Sequence, residues 1–441
     1  FSVLREYCKM NSESESIEVY NNDTTVNKII AEKVRHLHHI EPFFICDIRE
    51  VLRKCSLWAE LFPRVKPFYA VKANSSRLVL KVMADFGINF DCASKYEIDL
   101  ALSLGIPPKR IIYAHSIKTS SYIKYASDAD IKLMTFDNEE ELRKMKRLCP
   151  DVQAIIRIKY DAKNAFLKLG EKFGCNVENE ADELINLAQS LCVNLVGVSF
   201  HIGVGCTDLP SFYNAIKSAR IVFDIAKRYG YDLRILDIGG GFPGADDVLL
   251  KQIALTVNNA LDMYFSDQSI QIIAEPGTVL VDSAFTLACN VISRKFKSNK
   301  WIYYINDGLH GSFHKGLIVG SPFTMYPLKI PSHKELYSST IFGVTCGAKD
   351  KLIENLTLPS LEIDDWLILK NMGAYSLGLH TSMNGFFVPR MFYVTDFNNL
   401  TRYGLSEFNY KFTKTILKEA TDDRTNLNEE FRVTFCLDFI L

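Results

Sequence analysis

The sequence predicts an α/β fold, a parallel (β/α)8 barrel of TIM type followed by a mostly β domain. Three observations carry that reading. Eight short apolar, β-branched runs recur between residues 67 and 275, segments with helical spacing of apolar residues separate them, and after Glu275 the alternation gives way to strands bounded by turn signals. Near-continuous apolar strands are buried on both faces. Eight of them, separated by helices over about 210 residues, fit a closed barrel better than the alternative, an open doubly wound sheet.

In chain order the runs are PFYAV (67–71), NFDC (89–92), RIIYA (110–114), KLMTF (132–136), QAIIRI (153–158), LVGVSFH (195–201), LRILDI (233–238) and QIIAE (271–275). Between them, SSRLVLKVMADFG, NEEELRKMKRL, ADELINLAQSL and SFYNAIKSARIVFDIAKRYG place apolar residues on one helical face. FFICDIRE (43–50) reads as a further strand next to the barrel. AFTLACNVISRK, WIYYINDG, STIFGVTC, DWLILKNMG and RMFYVTD read as the strands of the second domain. The expected division is an N-terminal segment, 1–45, partly joining the β domain, a barrel over 46–283 and a β-rich domain over 284–441.

Composition narrows the function. The 441 residues carry a formal net charge of −1 and no basic run, so neither a nucleic acid nor an anionic membrane is expected as partner. No apolar segment approaches the roughly 18 residues of a membrane span. The opening FSVLREYCKM carries Arg5, Glu6 and Lys9 where a signal peptide needs an apolar run, so a cytoplasmic protein is expected. Eleven scattered cysteines without a CxxC predict no disulfide and no bound metal.

Barrel enzymes carry their chemistry at the C-terminal ends of the strands. Those ends read Lys72, Asp91, Arg157, His201, Gly239, Gly240, Gly241 and Glu275. Singly, each has a structural explanation: a lysine reaching solvent along its stem, a core histidine, Asp91 capping a helix that begins near Ser94, a glycine turn. Together they describe a site. The loop DIGGGFPG lets backbone N–H groups approach an anion, and loops after strands seven and eight of barrels often hold phosphate. A phosphate cradle, a lysine able to form a Schiff base and a carboxylate at the end of strand eight suggest pyridoxal 5′-phosphate, with Lys72 bonded to it and Glu275 at its pyridine nitrogen.

The stretches PFYAVKAN, FDCASKYEI, RIIYA, MTFDNEEEL, KFG, FHIGVGC, LDIGGGFPG, EPG, SAFTLA, NDG, GSF, TC and NMGAY occur in the order in which the ornithine decarboxylase family carries them. From about residue 40 to 395 the chain resembles that family, the pyridoxal-phosphate decarboxylases of alanine-racemase fold. The resemblance implies that His201 stacks on the cofactor ring and that Gly239, Gly240, Gly241 and Tyr375 bind the phosphate. It places Asp91, Glu97 and Arg157 around the lysine and ring. It also implies a head-to-tail homodimer with shared sites, in which Cys346 of the partner subunit returns a proton to the α-carbon. Lys172 and Asp350 match positions that pair across that interface.

The chain departs from the family in three places. Of the two acidic groups that hold the distal ammonium of ornithine, one sits in a Tyr-Asp pair that Ile318 and Val319 replace after GSF, and the other is replaced by Gly347 after Cys346. An ammonium left unpaired in a desolvated pocket costs several kcal/mol; at about 1.4 kcal/mol per tenfold, ornithine or lysine is disfavoured by up to about a thousandfold. Each buried methylene favours an apolar substrate by about 0.8 kcal/mol. With Met383 in place of a family phenylalanine, the expected substrate is an aliphatic L-amino acid, leucine first, then isoleucine, valine and methionine. The other two departures, Thr278 for a phosphate-binding arginine and Val204 for a serine, predict cofactor affinity about ten- to a hundredfold weaker than in relatives.

The alternative function is a non-catalytic regulator similar to the antizyme inhibitors. Residues 120–142 match the family's antizyme-binding region in part, through Ile123, Lys124, Tyr125 and Ala126, while Asp128 and Asp130 predict weak or absent binding. A racemase or cofactor carrier on the same barrel is disfavoured by the retained Cys346 motif. The closing FRVTFCLDFIL does not resemble the family's degradation tail and reads as a strand or attachment segment.

Overall fold

The computed structural model describes residues 16–36, 41–316, 323–329, 335–402 and 409–412. Leu317–Pro322, with the pocket positions Ile318 and Val319, and the C-terminal FRVTFCLDFIL lie outside the described residues. Strands are numbered in chain order. β1 (Ser16–Tyr20) and β2 (Phe43–Asp47) come first. They are followed by β3 (Val65–Ala70), β4 (Asn89–Cys92), β5 (Ile111–Tyr113), β6 (Leu133–Phe136), β7 (Gln153–Ile158), β8 (Asn194–Phe200), β9 (Ile235–Asp237) and β10 (Gln271–Ala274). The remainder are β11 (Phe285–Lys297), β12 (Lys300–Ile305), β13 (Met325–Pro327), β14 (Leu336–Phe342), β15 (Lys351–Pro359), β16 (Trp366–Leu369), β17 (Arg390–Asp396) and β18 (Asn409–Phe412).

β3 to β10 close a parallel barrel, sealed by β10 pairing β3 with Ile272 opposite Val65. These are the eight apolar runs. Phe68, Ile112, Ile155, Val196, Ile235 and Ile273, each from a different barrel strand, pack into one buried cluster, which accounts for the β-branched residues at those positions. The intervening helices begin where a polar residue caps them. Asn138 Oδ1 accepts from Glu141 N at 2.9 Å, and Asp246 Oδ1 from Leu249 N at 2.9 Å. The helix Lys95–Ser103 is capped by Ser94, whose Oγ accepts from Glu97 N, so Asp91 is free for another role.

The chain divides into two compact units. One holds His39–Phe44 and Glu50–Arg390, the barrel together with β11 to β16, where antiparallel pairing of β11 with β12 and β16 and of β14 with β15 builds the β region. The other is built from the described parts of 1–38, 45–49 and 391–441. There β1 pairs in parallel with both β17 and β18, placing Ile17 opposite Tyr393 and Tyr410. Among the described residues, no helix is long and apolar enough to cross a membrane.

Candidate active site

Lys72 sits in a single 3-10 turn, Val71–Ala73, directly after β3. Tyr375 N donates to Ala73 O at 2.8 Å and Asn74 Nδ2 donates to Gly373 O at 2.8 Å, so the NMGAY loop is fastened to the end of the strand. Tyr375 holds φ 56°, an unusual backbone angle for a bulky residue.

The Lys72 ammonium donates to Asp91 Oδ2 at 2.5 Å. Its side chain is 42% exposed, and that exposure opens onto a cavity of about 260 Å3, whereas Asp91 is fully covered. Lys72, His201, Gly240, Gly241, Glu275 and Tyr375 all line this cavity. Burial works against the Lys72 ammonium, but Asp91 and Glu275 outweigh it and hold its pKa above the ordinary lysine range. Burial pushes the Asp91 carboxyl up to about 7 against the pull of Lys72. Glu275 is raised to about 8 by burial and by Asp237 beside it, and Asp237 to about 6 by burial.

Asp237, absent from the sequence-based set, lies beside Glu275 and helps to raise its pKa. Two neighbouring carboxyl groups in a desolvated place do not both ionise, so the pair favours keeping one proton. Asp237 Oδ1 is fixed by Gly239 N at 2.9 Å, and Glu275 N donates to Gly239 O at 2.7 Å, so the glycine turn braces both acids. The signal was present in LDIGGG: Asp237 ends an apolar strand immediately before the glycines.

His201 is neutral. Burial, then Arg157 and Lys72, lower its pKa to about 3, and Nδ1 accepts from Gly203 N at 3.1 Å, which places the proton on Nε2. A Cβ on Gly240 would lie 2.9 Å from His201 Nε2 and 2.9 Å from Glu275 O; one on Gly239 would lie 2.2 Å from Phe200 O. Only glycine leaves a flat slot beside the imidazole. Arg157 lies over the ring of Phe173 at 4.8 Å and acts electrostatically on Asp91, Asp237 and Glu275. Glu97 is turned to the backbone, its Oε2 accepting from Ala93 N at 2.6 Å.

A second group of side chains stands apart. Cys346, Gly347 and Met383 do not line the cavity. Cys346 is exposed, and its N–H donates to Asn384 Oδ1 at 3.2 Å. A Cβ on Gly347 would meet Thr345 Oγ1 at 3.3 Å, His310 Nε2 at 3.6 Å and Met383 Cε at 3.7 Å, and the Asp350 carboxylate lies beyond Thr345, engaged by its hydroxyl and N–H. His310 was not among the sequence-based residues; nothing in NDGLHGSF marks its approach to Gly347. Asp350 holds the loop in place, accepting from Leu309 N at 2.7 Å, Thr345 N at 2.9 Å and Thr345 Oγ1 at 2.6 Å. Lys172 lies 5.0 Å above the Phe173 ring.

The cavity fits pyridoxal phosphate. An accessible lysine faces a neutral histidine, a glycine slot leaves room for a flat ring, and a buried carboxyl group is able to hold a proton shared with a ring nitrogen. The phosphate end differs: Lys72 is the only lysine or arginine among the described lining residues, and Thr278 and Val204 are uncharged.

The family model "Pyridoxal-dependent decarboxylase, pyridoxal binding domain" matches residues 48–282. The chain is 42% identical to antizyme inhibitor 2 of Xenopus laevis over 81% of its length and 82% of that protein. It is 41% identical to ornithine decarboxylase of Mus pahari over 84% of its length and 85% of the relative. Among solved structures, arginine decarboxylase of Paramecium bursaria Chlorella virus bound to agmatine superposes with a TM-score of 0.81 at 35% identity. That match covers 83% of this chain and all of the other.

Proposed function

The chain belongs to the pyridoxal-dependent decarboxylase family, and from that premise we propose that it converts an aliphatic L-amino acid, leucine first, to its primary amine and carbon dioxide, and does not use ornithine. The observation that carries this reading is the surrounding of Gly347. Where the resemblance implies an acid for a distal ammonium, there is a glycine bordered by a thioether, an imidazole and a hydroxyl. An apolar side chain loses nothing there, whereas an ammonium meets no acid at position 347, and the Asp350 carboxylate is already occupied by Leu309 N and Thr345.

When bound, pyridoxal phosphate supplies an electron-poor ring that accepts the electron pair left when carbon dioxide departs. Lys72 would hold it through Nζ, and Asp91, 2.5 Å from that atom, would be placed to take and return the Nζ proton. The Glu275 carboxyl would hold a proton for the ring nitrogen, and the uncharged His201 imidazole would pack beside the ring without competing for charge. The Cys346 thiol, contributed in our reading by the partner subunit of a homodimer, donates the proton that replaces the lost carboxylate on the α-carbon. One proton is consumed per amine formed.

A second reading, binding of antizyme without turnover, is favoured by the similarity to antizyme inhibitor 2. In the matching segment, the helix Ser120–Asp128 turns Tyr122 outward and buries Ile123 and Ala126. The two readings separate in one experiment. Purified protein supplied with pyridoxal phosphate and a panel of L-amino acids should release isoamylamine from leucine, and the Lys72→Ala variant should release none. Antizyme capture with no amine from any amino acid would favour the regulator.

A further inference from the structure

The phosphate end of the cavity poses a charge problem that its lining does not solve. Thr278 and Asp282 both face it, and a Cβ on Gly244 would meet Asp282 Cβ at 2.6 Å and Thr278 Cγ2 at 2.9 Å, so the three form one continuous wall. Asp282 is an acidic residue of this wall, its Cβ toward the glycine loop that would receive a phosphate and its carboxylate turned back into the protein. Left alone it would repel that group in a poorly solvated place, where screening is weak.

One layer behind the wall lies Lys315. Its side chain is 3% exposed, and its ammonium donates to Asp282 Oδ1 at 2.7 Å and to Asn371 O. Ala374 N, next to Tyr375, donates to the same carboxylate oxygen at 3.2 Å. The other buried ammonium behind this wall, Lys54, donates to Gly244 O at 2.6 Å and to Asp247 Oδ1 at 2.5 Å, and Asp247 does not line the cavity. Lys54 is bonded to Asp247 and acts on Asp282 only from a distance, whereas Lys315 bonds the Asp282 carboxylate directly.

We propose that Lys315 is the residue that makes this cavity accept a phosphate: it cancels the Asp282 carboxylate from behind and, in place of a lining arginine, sets the charge that the cofactor phosphate meets. Lys315 thus acts through Asp282 and is a positioning residue. The inference rests on the pyridoxal-phosphate assignment and stands whichever amino acid is the substrate.

The geometry makes variants at the two residues differ in sign. Lys315→Met leaves an uncompensated carboxylate at the phosphate. Asp282→Asn leaves a buried ammonium that only an incoming anion satisfies. A residue pair that merely supports the fold would give two losses of similar size.

The test is equilibrium dialysis of the cofactor-free full-length protein against pyridoxal phosphate and, separately, against pyridoxal, which lacks the phosphate. We expect Lys315→Met to weaken pyridoxal phosphate binding by about tenfold or more, the size of a lost charge-assisted contact, and Asp282→Asn to strengthen it several-fold. The double variant should return near the wild-type value, and pyridoxal should bind all folded forms alike. If thermal melting shows Lys315→Met to be unfolded, Asp282→Asn alone decides. Unchanged or weaker phosphate-cofactor binding by Asp282→Asn overturns the proposal, as does an equal loss for pyridoxal. Wild-type protein that binds pyridoxal phosphate no better than pyridoxal also overturns it, through the cofactor premise and without bearing on the substrate.

Discussion

The cavity at the strand ends and the loop around Cys346 are specified in opposite ways. The cavity is defined by what stands in and behind it: Lys72 and Glu275, the buried Asp91 and Asp237 behind them, a neutral histidine and glycines whose missing Cβ atoms leave room for a ring. The Gly347 loop is defined by what position 347 lacks, an acidic side chain, while its one nearby carboxylate, Asp350, is taken up by Leu309 N and Thr345. In the proposed function, reaction type belongs to the first region and substrate choice to the second. A change in one should therefore leave the other's property intact, and the predictions below are attempts to violate that separation.

The largest effect belongs to the cavity. Lys72→Ala should lower kcat/KM for every amino acid by about a thousandfold or more, since the covalent and proton-transfer roles go together. A residual activity that still discriminates leucine from ornithine would show that specificity survives the loss of chemistry. Gly347→Asp should do the reverse. The nearest atoms to the new Cβ, at 3.3 to 3.7 Å, permit it with a small adjustment, and the carboxylate should lower kcat/KM for leucine by about a hundredfold while raising that for ornithine. Cofactor affinity, measured by titration, should not move.

Gly240→Ala returns to the cavity with a smaller perturbation. The methyl group would sit 2.9 Å from His201 Nε2, so the ring slot narrows, and cofactor affinity should fall about tenfold with the order of substrate preference unchanged.

The most gradual effect is a slope. Asp91 and Glu275 have folded pKa values raised to about 7 and about 8, so the folded protein binds more protons than the unfolded chain, and stability declines as pH rises through those values. His201, depressed to about 3, opposes this only below the ordinary histidine pKa of about 6.5. Between about pH 6.5 and 8.5 the carboxyl groups dominate. The melting temperature of cofactor-free protein should fall across that window, by the equivalent of about 2 to 3 kcal/mol, and Glu275→Gln should flatten the fall. A melting temperature that rises there would contradict the buried-proton account.

The barrel was legible because each strand is short, apolar on both sides and bounded by a helix with its own period; NFDC and QAIIRI coincide with β4 and β7. The site was legible for the same reason. In a parallel barrel, the residue after each apolar run is placed near the others by topology alone, so Lys72, Asp91, His201 and Glu275 needed no knowledge of distant contacts. What the sequence hid are pairings between side chains far apart in the chain. Lys315 with Asp282, His310 beside Gly347, and Asp237 with Glu275 leave no periodic trace. Asp91 could be read as a helix cap until the packing showed Ser94 in that role. β1 was invisible because SIEVY is short and its partners, β17 and β18, lie more than 370 residues away.

The central claim is that the family's chemistry is retained while its diamine specificity is lost. The most direct measurement is the ratio of kcat/KM for leucine to that for ornithine, taken on wild-type protein saturated with pyridoxal phosphate and followed by amine release. The account predicts a ratio of about a thousand, the cost of an unpaired ammonium where position 347 offers no acid. A ratio at or below one would mean that ornithine finds a counter-charge after all, and the assignment of substrate choice to the Gly347 loop would fall.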